Sequence, residues 1–169
     1  MPEDPKPLDP ELQRARDRTS EWLVAEGWRT ATGTGEGAAW ALRGQDPGGK
    51  IVIFAQESQE PHRLVLHASV RLDEAHAEKL RALETHEQDD LCWRIRLKLL
   101  DMRVDFQGVA MPLQQVNLRM RLYAEDLTRT SFFDTVGTLQ NAMLYLIWTV
   151  RRILDQPALE DDEPDLRIN

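Results

Sequence analysis

A single cysteine, Cys92, is all the thiol chemistry in the chain, which excludes an internal disulfide. The setting this favours is a reducing, cytoplasmic one. Long hydrophobic runs are missing too. The longest, Ala142 to Val150, is far short of the ~20 apolar residues a membrane helix needs, so no membrane span is expected. The opening Met1-Pro2-Glu3-Asp4-Pro5 is acidic and proline-rich, without the basic and apolar regions of a signal peptide. Basic residues are also in deficit: 21 Lys and Arg against 29 Asp and Glu leave a net charge of −8. A net acidic balance disfavours nucleic-acid binding, which usually needs a basic face, so no nucleic-acid partner is expected.

What remains is enough for one folded unit. At 169 residues, 41% of them apolar, the chain can bury a real core as a single domain. The expected organisation is a flexible segment over 1–8, an α+β domain over 9–156 and an acidic disordered tail over 157–169. From Asp155 onward six acidic residues stand against Arg167 alone, so most of the net charge lies there. No internal repeat is visible.

The chain order reads helix, strands, helices, hairpin, helix. Asp9-Pro10-Glu11 carries a cap, a proline at the first helical position and an acid in the first turn. Leu12, Ala15, Trp22 and Leu23 then form one apolar stripe, and Gly27 is placed to end the helix. Strands are expected over 28–32, 38–43, 51–56 and 63–71, with connections too short for crossovers, hence an antiparallel meander. Asp73-Glu74 opens a second helix bearing Ala77, Leu80 and Leu83.

The segment Asp90 to Asp101 supports two readings. Leu91, Trp93, Ile95, Leu97 and Leu99 alternate as in a strand, but Leu100, Met102 and Val104 fall out of phase. As a helix it carries apolar residues on two faces, the pattern of a buried helix, and the helix is the reading adopted. Residues 103–107 and 115–124 form a second hairpin, with Val116, Leu118, Met120 and Leu122 inward. A final helix runs from about Thr130 to Leu154, roughly 36 Å at 1.5 Å per residue.

Chemical signatures are sparse. Gly33-Thr34-Gly35-Glu36-Gly37 sits between strands and has no Gly-Lys-Ser/Thr, so it reads as a hairpin turn and not a phosphate loop. His62, His67, His76, His86 and Cys92 match no metal-ligand spacing, so no metal is expected. Ser20, Ser58, Ser69 and Ser131 have no nucleophile-elbow context, and Cys92 lies in an apolar run as a small buried hydrophobe does. No catalytic residue and no cofactor are assigned.

Two surfaces stand out instead. Arg119, Arg121 and Tyr123 point outward from the last strand, with Arg103 expected on the neighbouring strand's outer face and Asp101 and Asp105 interleaved. One reading is a solvated, self-neutralised face; the other is a strip over which Glu160 to Asp165 folds in competition with an acidic partner. The final helix carries Met143, Leu144, Tyr145, Leu146, Ile147, Trp148 and Val150 around its whole circumference. Its outer face is covered either by the first helix or by a subunit or client. The candidate interface residues are therefore Leu144, Tyr145, Trp148, Arg119, Arg121 and Tyr123.

The element order resembles the fold of type III secretion chaperones and YbjN-like proteins. The stretch from Trp93-Arg94-Ile95-Arg96-Leu97-Lys98-Leu99-Leu100 and Val104-Asp105-Phe106 is similar to an uncharacterised prokaryotic family in that fold group. The likeness continues through Met120-Arg121-Leu122-Tyr123-Ala124-Glu125-Asp126-Leu127-Thr128 and Phe132-Phe133 to Leu146-Ile147-Trp148. These are packing motifs and transfer no site residues. The resemblance implies homodimers that bind extended segments of a protein client. The expected function is a non-enzymatic, chaperone-like binding module. The alternative is a small-molecule or metal-dependent enzyme or sensor with a pocket between sheet and helices.

Overall fold

The computed structural model describes residues 10–33 and 37–155. The segment 1–8, the cap Asp9, the centre of the Gly33–Gly37 loop and the tail 157–169 lie outside the described residues. Helix α1 (Pro10–Ala25) leads into strands β1 (Arg29–Thr32), β2 (Ala38–Gln45), β3 (Ile51–Glu57) and β4 (Arg63–Arg71). Helices α2 (Glu74–Arg81) and α3 (Thr85–Asp101) follow, then β5 (Asp105–Gln107), β6 (Gln115–Tyr123) and the long α4 (Arg129–Leu154). The strands form one antiparallel sheet in the order β1-β2-β3-β4-β6-β5. This is the α+β architecture expected from the sequence.

Local chemistry sets the boundaries. Gly27 takes φ +78°, and Trp28 N–H donates to Leu23 O at 3.0 Å, closing α1 with a left-handed cap. Asp73 accepts from the His76 amide and starts α2. Glu84 and Glu87 form a reciprocal capping box that starts α3 at Thr85. The helix therefore begins five residues before Asp90, and the strand reading of 90–101 is excluded. Its end corrects a second expectation. Arg103 is not on a strand; it sits at φ 56° just past α3, where its amide donates to Leu100 O and that of Val104 to Leu99 O.

Alternation in the strands creates one apolar face. Phe54, Leu66 and Met120 lie side by side across β3, β4 and β6, as do Gln56, Leu64 and Leu122. α4 crosses this face over β4 and β6, and α1 crosses it over β1 and β2. Phe132, Val136, Leu139, Ala142 and Leu146 of α4 are buried against it. Each large side chain so buried contributes ~1.5–3 kcal/mol. Gly44 is required here: a Cβ would stand 2.8 Å from the Phe54 ring and 3.1 Å from that of Trp28.

One polar pair is sealed inside. The indole N–H of Trp40 donates to Gln56 Oε1 at 2.8 Å, and Gln56 Nε2 donates to the Pro61 carbonyl. Gln56→Leu leaves both Trp40 and Pro61 without their partner and is expected to cost ~1–3 kcal/mol, read by urea denaturation. An unchanged midpoint would show that these groups find other partners.

Candidate functional site

The six candidate interface residues fall on opposite sides of the domain. Arg119, Arg121 and Tyr123 project from the face of the sheet away from α1 and α4, because they alternate with Leu118, Met120 and Leu122. Leu100 at the end of α3 borders the cleft that His67, Arg119 and Arg121 line there. Leu144, Tyr145 and Trp148 lie on the side of α4 away from the sheet. The core separates the two sets.

On the sheet's outer face the charges are paired internally. Arg119 Nη2 donates to Glu57 at 2.9 Å, and Arg121 Nη1 lies 2.8 Å from Asp105. Asp101 is not part of this face; it pairs with Lys98 within α3 at 2.8 Å. In the register, the line from Arg119 to Glu57 passes over Val65, which is buried although it points outward. The Arg63 guanidinium stacks over the Tyr123 ring at 5.3 Å. The expected cover by Glu160 to Asp165 lies outside the described residues. β5 pairs with β6 only at Asn117, Leu118 and Arg119, so Met120 to Tyr123 have no strand beside them there among the described residues.

The helical layer is physically different. Trp148 is 64% exposed, while Leu144 and Tyr145 are half-buried. α1 meets the start of α4, through Trp22 on Phe132 and Glu26 with Arg129. Beside the C-terminal half stands α3: Tyr145 Oη donates to Arg94 O at 3.3 Å. α3 buries Leu91, Cys92, Ile95 and Leu99 but leaves Trp93 at 57%, Leu97 at 60% and Leu100 at 62% exposed. The two-faced apolar pattern thus belongs to a helix covered on one side only. The sequence reading placed no interface residue on α3, although those apolar positions, four and three residues apart, were its signal.

Trp93 is held in place. Arg96 lies over its ring at 5.5 Å, and the same guanidinium donates to Val109 O at 3.0 and 2.6 Å. An apolar side chain fixed before contact loses less entropy on docking.

A groove of about 350 Å³ opens between the end of β4 and the last turns of α4, floored by Val70, Leu113, Met143, Leu146 and Val150. Asp73 and His76 stand at its rim, hydrogen-bonded through the His76 Nδ1 at 2.7 Å; the His76 amide and ring together hold the Asp73 carboxyl below its ordinary range. Among the described residues no three His, Cys, Asp or Glu side chains gather as metal ligands do. Burial pushes the Cys92 thiol up, away from a reactive thiolate. Among the described residues no helix is long and apolar enough to cross a membrane.

An antiparallel sheet with α1 and α4 on one face, and an apolar margin left on α3 and α4, defines the class: an α+β domain with an uncovered helical side. The chain belongs to the family described as an uncharacterized conserved protein, DUF2299, which it matches over residues 15–150. Its fold is that of an uncharacterized protein from Methanothermobacter thermautotrophicus, with a TM-score of 0.78 at 17% identity. That match covers 83% of this chain and 99% of the other. A chain in the crystal structure of the ExsC-ExsE complex is more distant, with a TM-score of 0.43 at 17% identity over 64% of this chain and 74% of that one. Comparison with curated proteins finds no match.

His67, on the outer face between Ile53 and Arg119, reports on that surface. Burial lowers its pKa from the ordinary 6.5, Arg119 and Arg121 lower it further, and Glu57 opposes them. Glu57→Gln is expected to depress it more, read by NMR titration of the imidazole. Because the unfolded chain takes up this proton first, His67 favours the fold above pH 6.5 and that contribution is lost as pH falls below it. A titration midpoint at or above 6.5 in the wild type would contradict this placement.

Proposed function

We propose that the protein is a non-enzymatic, chaperone-like binding module of the cytoplasm, homodimeric, that holds an apolar segment of a protein client. The observation that carries this reading is the uncovered side of the helical layer: Trp93, Leu97, Leu100 and Trp148 are each more than half exposed on two neighbouring helices. Apolar groups of this size scattered singly are ordinary, but a stripe at helical spacing such as Trp93, Leu97 and Leu100 marks a contact surface. The outer sheet face supports it less, because Arg119 and Arg121 already have carboxylate partners and exposed pairs contribute little. Strand addition beside Met120 to Tyr123 is the second mode by which an extended client segment would bind.

Leu144, Tyr145 and Trp148 form the client side of this surface, with Trp148 as anchor. Trp148→Arg is expected to keep the circular-dichroism spectrum and to weaken client binding at least about tenfold, as loss of an aromatic anchor does. The measurement is native mass spectrometry of the full chain purified gently from its source, wild type against variant. A co-purifying polypeptide that the variant loses supports the reading. A protein that carries only a metal ion or small molecule overturns it and moves the function to the groove beside Val70 and Val150.

A further inference from the structure

α3 is the part of this surface whose occupant can be argued from charge as well as from exposure. Trp93, Leu97 and Leu100 make a straight stripe along its outer side. The charge along the stripe is largely sorted by sign. Before Trp93 come Glu87, Asp89 and Asp90; after it come Arg94, Arg96, Lys98 and, past the helix end, Arg103, with Asp101, paired to Lys98, the one acid among them. Much of this charge is committed within the chain: Glu87 to the capping box, Arg96 to Val109 O, Lys98 to Asp101. Asp89 and Arg103 form no ion pair or side-chain hydrogen bond within the described chain. They stand at opposite ends of one apolar stripe, with opposite sign.

A surface of this kind is complementary to itself when reversed. We propose that α3 pairs with α3 of a second copy, antiparallel about a two-fold axis beside Leu97. Trp93 of each copy then lies against Leu100 of the other, and Asp89 of each faces Arg103 of the other. The inference rests on the protein-binding reading and names one partner for it. A two-fold contact repeats every favourable pair, so both apolar contacts and both ion pairs occur twice. A parallel pairing would set acid against acid and base against base, and is disfavoured.

The three side chains expose on the order of 350 Å² per copy, so two stripes face to face bury about 700 Å², the size of a weak contact in reversible exchange. The fixed Trp93 ring lowers the entropy cost of closing it. Trp148, one helix away, stays outside this contact and available to a client.

The experiment is analytical ultracentrifugation of the full chain across a concentration series, with three variants. The wild type is expected to be a dimer in reversible exchange with monomer. Leu97→Glu, at an exposed helical position that the fold does not need, is expected to weaken the dimer at least about 100-fold. Asp89→Arg and Arg103→Asp each convert two attractions into two repulsions, and each is expected to weaken the dimer about tenfold. Asp tolerates the left-handed backbone at position 103. Mixing these two variants restores both ion pairs, so a mixed dimer is expected at near wild-type affinity.

A wild type that is monomeric throughout overturns the proposal, as does a dimer indifferent to Leu97→Glu. Loss of the dimer in Leu97→Glu without recovery in the charge-swapped mixture overturns the antiparallel register. None of these results touches client binding at Trp148, which is read separately by mass. Failure of the dimer and failure of the binding reading are thereby distinguished.

Discussion

The contact between Phe54 in the sheet and Phe132 in α4, with ring centroids 5.4 Å apart, is the constraint on which the rest of the structure depends. Trp28 meets Phe54 edge-on at 6.1 Å, and Trp22 meets Phe132 at 5.5 Å, so this one cluster ties β3, α1 and α4 together. Aromatic pairs in such tilted arrangements add to the burial of their area. Gly44 leaves the space in β2 that the rings fill. Once Phe132 is seated, the stripe Val136, Leu139, Ala142 and Leu146 must follow onto β4 and β6, because helical spacing places them on one line.

Seating α4 in this way decides which side of it is left over. Trp148 lies opposite the buried stripe and has nothing above it among the described residues, while Tyr145 is turned toward α3 and finds the Arg94 carbonyl. α3 packs along the flank of α4 and buries Leu91, Ile95 and Leu99, but it is itself an outermost element. Its far side therefore faces water. The face of the sheet away from α1 and α4 meets the same exposure by another route. Salt bridges from Glu57 to Arg119 and from Asp105 to Arg121 make it a charge-balanced surface. The same domain thus has one face made quiet by pairing and one left apolar.

Much of this was legible residue by residue. Asp73 and Gly27 act where cap and stop signals place them, and Val116 to Leu122 alternate in and out as their spacing requires. The start of α3 was not, because Glu84 and Glu87 cap through a reciprocal box of two acids, outside the Ser/Thr/Asp/Asn pattern. Arg103 was misplaced because a bulky residue in the left-handed region breaks the glycine rule that marks helix ends. The stripe on α3 was hidden because apolar residues on two faces are the same letters whether the second face is covered or bare.

The sequence by itself determined the first helix, the antiparallel hairpins, the sheet's inner face and the long final helix, because these follow from periodicity and from neighbours a few residues apart. Whether 90–101 is helix or strand was settled by the structure. Only the tertiary structure decided which apolar faces are covered. It alone separated Arg119, Arg121 and Tyr123 from Leu144, Tyr145 and Trp148, and it alone left Trp93, Leu97 and Leu100 exposed. Burial is a property of what packs from elsewhere in the chain, and that partner cannot be read from the spacing of the residues it covers.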